Sequence, residues 1–105
     1  MLDIIVGHHK KDTPDGYCAI YVGRPGALGN PFSVEEYGRE ECIRLYREWL
    51  RRRIEARDRA VMQSLKFVRG LAEKRPICLT CWCAPKACHA DVVREVLLDS
   101  SLWEK

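Results

Sequence analysis

The sequence predicts one small α/β domain over residues 1–105, in two or three layers, with a short and at least partly parallel sheet of about three strands and three or so helices. Three observations carry this. Short β-branched apolar runs open the chain and return near its end, long stretches of helical periodicity lie between them, and 105 residues suit a single hydrophobic core.

Ile4-Ile5-Val6 is continuously apolar and β-branched, which predicts a buried strand over residues 2–6. Thr13-Pro14-Asp15-Gly16 then signals a turn, because proline presets φ and glycine tolerates φ > 0. Tyr17–Val22 reads as a second strand, one that could pair with the first as a long-looped hairpin. The ten residues Gly23–Phe32 hold three glycines and two prolines and exclude regular structure. Ser33-Val34-Glu35-Glu36 has the form of a capping box, so a helix should start there. Ile43, Tyr46, Leu50 and Ile54, with Cys42 and Trp49 beside them, give that helix an apolar stripe. Val61, Leu65, Val68 and Ala72 repeat the pattern over 58–73, and a break near Arg57-Asp58 would separate two helices. Pro76 opens a third strand, Ile77–Cys83. A loop through Pro85 leads to a last helix near Cys88 that buries Val92, Val93, Val96 and Leu97, and Leu102-Trp103 should pack back on the body.

Composition narrows the function classes. Hydrophobic residues are 47% and charged residues 31% of the chain, which excludes disorder. No apolar run approaches the roughly 20 residues that span a bilayer. The first residues lack a basic leader and a long apolar stretch, so a cytoplasmic protein is expected. In that compartment the six cysteines are thiols, metal ligands or catalytic groups before they are disulfides. A net charge of +3 permits a polyanionic partner without demanding one.

The densest chemistry lies at Cys81-Trp82-Cys83 and Cys88-His89. Thiolates plus imidazole suit zinc, which takes four N/S ligands in a tetrahedron, and the expected set is Cys81, Cys83, Cys88 and His89. The spacing is not that of an ordinary zinc finger, and Cys88 and His89 would point about 100° apart on a helix. His8 or His9 could therefore supply the fourth ligand, although exposed loop positions are the plainer account of both. Without metal, Cys88 at a helix N-terminus is placed to be a reactive thiolate, with His89 adjacent. Cys18, Cys42 and Cys78 read as small core residues.

Gly23–Phe32 has the makings of an anion pocket. Its glycines let backbone N–H groups approach a phosphate, Arg24 offers a planar fork, and Asn30 could read a base edge. The spacing is neither a Walker loop nor a dinucleotide fingerprint. A β–α–β crossover from the second strand to the third would make them parallel. This loop and the cysteine cluster would then leave the same sheet edge, where open α/β sheets bind ligands. Arg44, Arg47, Arg51, Arg52, Arg53, Arg57 and Arg59, interleaved with Glu40, Glu41, Glu48 and Glu55, suggest a solvated, ion-paired face before a nucleic-acid surface.

Tyr21-Val22-Gly23-Arg24-Pro25 with Leu28-Gly29-Asn30-Pro31-Phe32, followed by Cys81-Trp82-Cys83-Ala84-Pro85 and Cys88-His89-Ala90-Asp91, resembles the phage and bacterial family called domain of unknown function 4326. The resemblance covers nearly the whole chain. It implies a distinguishing site made of Gly23, Arg24, Pro25, Gly29, Asn30, Pro31 and Phe32 with Cys81, Cys83, Cys88 and His89. Ala90 stands where that family usually has glycine, so close backbone approach is not required there.

The functional expectation is a zinc-binding domain that binds or acts on a nucleotide, nucleobase or nucleic-acid ligand, as a transferase or hydrolase. Gly23, Arg24, Pro25, Gly29, Asn30 and Phe32 would hold the ligand, and Cys88 and His89 would act on it. The alternatives are a non-enzymatic nucleic-acid-binding module with a structural zinc, and a metal-free enzyme using the Cys88 thiolate.

Overall fold

The computed structural model describes residues 2–11, 13–82 and 88–103. Three strands, β1 (Ile4–His8), β2 (Cys18–Tyr21) and β3 (Ile77–Cys81), form an all-parallel sheet in the order β1-β3-β2. Helices α1 (Val34–Tyr37), α2 (Arg39–Glu55) and α3 (Arg59–Ala72) connect β2 to β3. Helix α4 (His89–Leu98) follows β3, and a 3-10 turn at Ser100–Leu102 comes after it. This is the expected α/β class.

The pairing differs from the hairpin expected of the first two strands. β1 and β2 both lie parallel to β3, with Ile4 and Cys18 each opposite Ile77. The cause is the composition of β3, whose five residues are all buried. A strand apolar on both faces belongs at the centre of a parallel sheet. β2 alternates between half-buried and exposed positions, as an edge strand does.

Ile77, Leu79 and Cys81 face the helices and join Tyr46, Leu50, Leu65, Val92, Val93 and Leu97 in one core. On the opposite face, Cys78 meets the segment joining β1 to β2, where Thr13 hydrogen-bonds its thiol. Tyr17 Oη donates to Asp3 Oδ2 at 2.6 Å in the same region. The fold is thus one helical layer on a three-stranded sheet.

The helical region is two helices. Arg57 takes a positive φ of 59°, and Asp58 caps α3 by accepting from the Val61 N–H at 3.0 Å. The box at Ser33 does not form. Ser33 precedes α1 but makes no side-chain cap, and Gly38, at φ 81°, ends α1 after four residues. Of the expected tail patch, Trp103 packs, its Nε1 donating to Val96 O at 3.0 Å, while Leu102 is exposed. Ion pairs line α2 as anticipated, Arg44 with Glu41 and Glu48, and two reach beyond it, Arg47 to Glu95 and Arg53 to Asp58. No helix among the described residues is long and apolar enough to cross a membrane.

Candidate functional site

Parallel pairing puts the carboxyl ends of all three strands on one edge, and the unusual segments of the sequence emerge there. The edge is knitted by main-chain bonds, His9 N to Cys81 O at 2.8 Å and Val22 N to Thr80 O at 3.0 Å. Beside it lies a cavity of about 320 Å³. Gly23, Arg24, Asn30 and Phe32 line it from the glycine-rich loop, Cys81, Trp82, Cys88 and His89 from the end of β3 and the start of α4. The two halves of the expected site therefore meet.

The loop is shaped by close packing. Gly26 N donates to Gly23 O and Gly29 N to Gly26 O, two successive turns, and the Arg24–Pro25 peptide is cis. A Cβ at Gly29 would stand 2.9 Å from Arg24 Cα and N, closer than such atoms come, so only glycine fits. The loop then locks onto α2. Tyr46 Oη donates to Leu28 O at 2.6 Å, Asn30 Nδ2 to Cys42 Sγ at 3.1 Å, and Cys42 Sγ to Phe32 O at 3.2 Å. Asn30 Oδ1 accepts from Phe32 N at 2.8 Å. Asn30 is buried and spends one amide proton and one lone pair on holding the turn. Cys42, expected as a plain core residue, is part of that clasp and lines the cavity.

On the other side, Cys88 caps α4. Its sulfur accepts from Ala90 N at 3.3 Å, and its own N–H donates to Asp91 Oδ2 at 3.0 Å. The sulfurs of Cys81 and Cys88 lie 2.7 Å apart, both buried. His89 is buried at the first position of α4, Nε2 2.7 Å from Val22 O and its ring against Tyr46. A carbonyl oxygen only accepts, so Nε2 carries a proton and donates it. Burial pushes the Tyr46 phenol well above its ordinary value, with Cys88 adding to the shift.

For the expected zinc set the outcome is partial. Cys83 and the loop 84–87 lie outside the described residues, and among the described residues no group of three or more His, Cys, Asp or Glu side chains is placed to hold a metal. Cys81 and Cys88 offer two neighbouring sulfurs. Thiolates around one tetrahedral zinc stand ~3.8 Å apart at a Zn–S length of about 2.3 Å, so binding would part these two by about 1 Å.

His8 closes β1 rather than lying in a loop, and its Nδ1 accepts from Lys10 N at 2.9 Å. Its ring and that of exposed His9 pack against Trp82.

Arg39 escaped the sequence reading. It is the first residue of α2, and the turn of the chain at Gly38 brings it to the cavity wall. Tyr21 and Trp82 stood within the quoted motifs but outside the expected site. Their place at the cavity mouth follows from the strand order, which puts β2 beside β3.

Comparison with curated proteins and with solved structures gives no match. The family described as Domain of unknown function (DUF4326) matches over residues 5–99, and with nine tenths of its length covered the chain belongs to that family.

Proposed function

We propose that this domain binds a phosphorylated ligand of the nucleotide class in the cavity at the sheet edge. The observation that carries this is the lining. Arg24 and Arg39 both border the cavity, and none of the described residues that line it is Asp or Glu. Two guanidiniums on one wall favour an anion, and phosphate suits their planar fork. Tyr21 and Phe32 add flat apolar wall for a base or sugar. A volume of about 320 Å³ is at the small end of ligand pockets, the size for a mononucleotide unit and not for a dinucleotide. Cys88 and His89 border the same space and are the groups to which we assign chemistry on the ligand, as transferase or hydrolase.

Calorimetric titration of the chain with nucleoside mono- and diphosphates tests the reading. Binding should weaken about tenfold or more in Arg24→Ala and in Arg39→Ala, since hydrogen bonds to charged groups contribute about 1.5–3 kcal/mol. Nucleosides lacking phosphate should bind least. Equal affinity for nucleoside and nucleotide, or wild-type affinity in both variants, would remove the basis of the proposal.

A second reading concerns zinc. His89 with one ring nitrogen held by a main-chain carbonyl has the arrangement common to metal-bound histidines, but Cys81, Cys88 and His89 do not already surround one point, so an ion shared with Cys83 would have to draw them together. Elemental analysis of protein purified without added metal should then find about one zinc per chain. A content far below that excludes the ion as a resident part of the site.

A further inference from the structure

Outside the cavity, the ends of β1 and β3 build a second surface that a mononucleotide would leave unused. Trp82 follows a strand whose five residues are all buried, yet it is itself 53% exposed. Large aromatic side chains contribute most when buried, so an exposed one that is nevertheless held in place needs a reason. Trp82 is held. Its Nε1 donates to Tyr21 Oη at 3.0 Å, and that hydroxyl donates in turn to Arg24 O at 2.9 Å. The His9 ring lies 5.0 Å from the indole, the His8 ring 6.0 Å, and Lys10 Nζ 5.5 Å from its centroid. Tyr21 and His9 are themselves in contact at 4.7 Å. The result is a pre-ordered aromatic shelf bearing a cation, continuous with the cavity through Tyr21 and Trp82.

We infer that the ligand is the end of a single-stranded nucleic acid. One terminal nucleotide occupies the cavity, and the next base stacks on the Trp82 shelf. The inference deepens the nucleotide reading and rests on it. A cavity of this volume takes one nucleotide unit, and Tyr21 and Trp82 carry its wall outward into the shelf. Aromatic platforms beside cationic groups are how proteins hold unpaired strands, because every base has a face that stacks and the backbone is anionic. Lys10, whose ammonium stands over the indole, would swing aside to meet the backbone phosphate as a base takes that face, and Arg24 and Arg39 supply the cations in the cavity. A blunt duplex holds its terminal nucleotides paired and stacked, so it cannot place one in the cavity and splay the next onto the indole.

The test is a fluorescence titration at fixed salt, comparing thymidine monophosphate with the single strands (dT)4 and (U)4 and with a blunt DNA duplex. Either tetranucleotide should bind at least tenfold tighter than the monophosphate, and the duplex should gain no such advantage. Stacking of one base contributes about 1–3 kcal/mol, which is roughly a 5- to 150-fold effect. The ratio of tetranucleotide to mononucleotide affinity should collapse toward one in Trp82→Ala. It should be largely kept in Trp82→Phe, which preserves a stacking ring while losing the Nε1 bond to Tyr21. Circular dichroism on both variants guards against loss of the fold, and the wild-type ratio alone decides if Trp82→Ala fails to fold. A wild-type ratio near one, or a ratio unchanged by Trp82→Ala, overturns the single-strand inference while mononucleotide binding leaves the cavity reading standing. Failure of every probe to bind overturns both.

Discussion

Tyr46 lies at the junction of the two halves of the site. It is fully buried on α2, its hydroxyl donates to Leu28 O in the glycine-rich loop, and its ring meets His89 at a centroid distance of 5.1 Å. Tyr46→Phe would keep the ring and strand a buried carbonyl, at a cost of about 1–3 kcal/mol in urea unfolding at neutral pH. The phenol also gives stability a pH dependence. Its proton is held more tightly in the folded chain than in the unfolded one, where it titrates near the ordinary 10.0. The stabilisation is complete below that value and is lost as pH rises above it. Unfolding midpoints should therefore fall more steeply between pH 9 and 11 in the wild type than in Tyr46→Phe, and parallel slopes would contradict the assignment. At this scale the sequence was partly legible. Arg24 and His89 announced themselves by type and by the motifs around them. Cys42 did not, because its role depends on Asn30 and Phe32, ten or more residues away, and no local pattern encodes that contact.

Among the elements, the caps show how a local signal can be present and unused. Ser33-Val34-Glu35-Glu36 has the right residues, but α1 spans only four residues before Gly38 turns the chain, and so short a helix gains little from its first turn. Asp58 begins a helix of 14 residues and does cap it, while its other oxygen pairs with Arg53 at 3.2 Å. Asp58→Ala should cost about 1 kcal/mol, the typical effect of losing a cap. Asp58→Asn, which keeps the acceptor for Val61 N, should recover most of it, because an exposed ion pair contributes little. Chemical denaturation of the two variants measures the difference, and equal losses would assign the effect to charge instead of the cap. The apolar stripes of α2, α3 and α4 were readable because burial repeats at helical spacing along one segment. Strand partners were not, since Ile4-Ile5-Val6 reads as a strand without naming its neighbour. The clue to the true order lay in β3, where Ile-Cys-Leu-Thr-Cys has no charged or bulky polar residue to turn toward water.

For the whole molecule, the strand order does what neither half of the site could do alone. Residues 23–32 leave β2, and Cys88 and His89 follow β3, yet they share one cavity because these strands are neighbours and end on the same edge. His89 Nε2 with Val22 O ties the start of α4 to the foot of the glycine-rich connection, and Tyr46 braces both from below. A ligand held by Arg24 and Arg39 against the start of α4 closes a longer circuit across the same gap. Binding to the folded state alone stabilises it by about 2.7 kcal/mol at a hundredfold excess over the dissociation constant. That gain should be shared by every segment the ligand joins. Hydrogen exchange with nucleotide present should then slow together at Gly26 and Gly29, whose N–H groups form the loop turns, and at Ala90 and Asp91 in the first turn of α4. The far end of α4, near Leu97, should change only as much as global unfolding requires. Protection confined to the loop would mean that the ligand sits on Arg24 without reaching Cys88 and His89, and the assignment of chemistry to those two residues would have to be withdrawn.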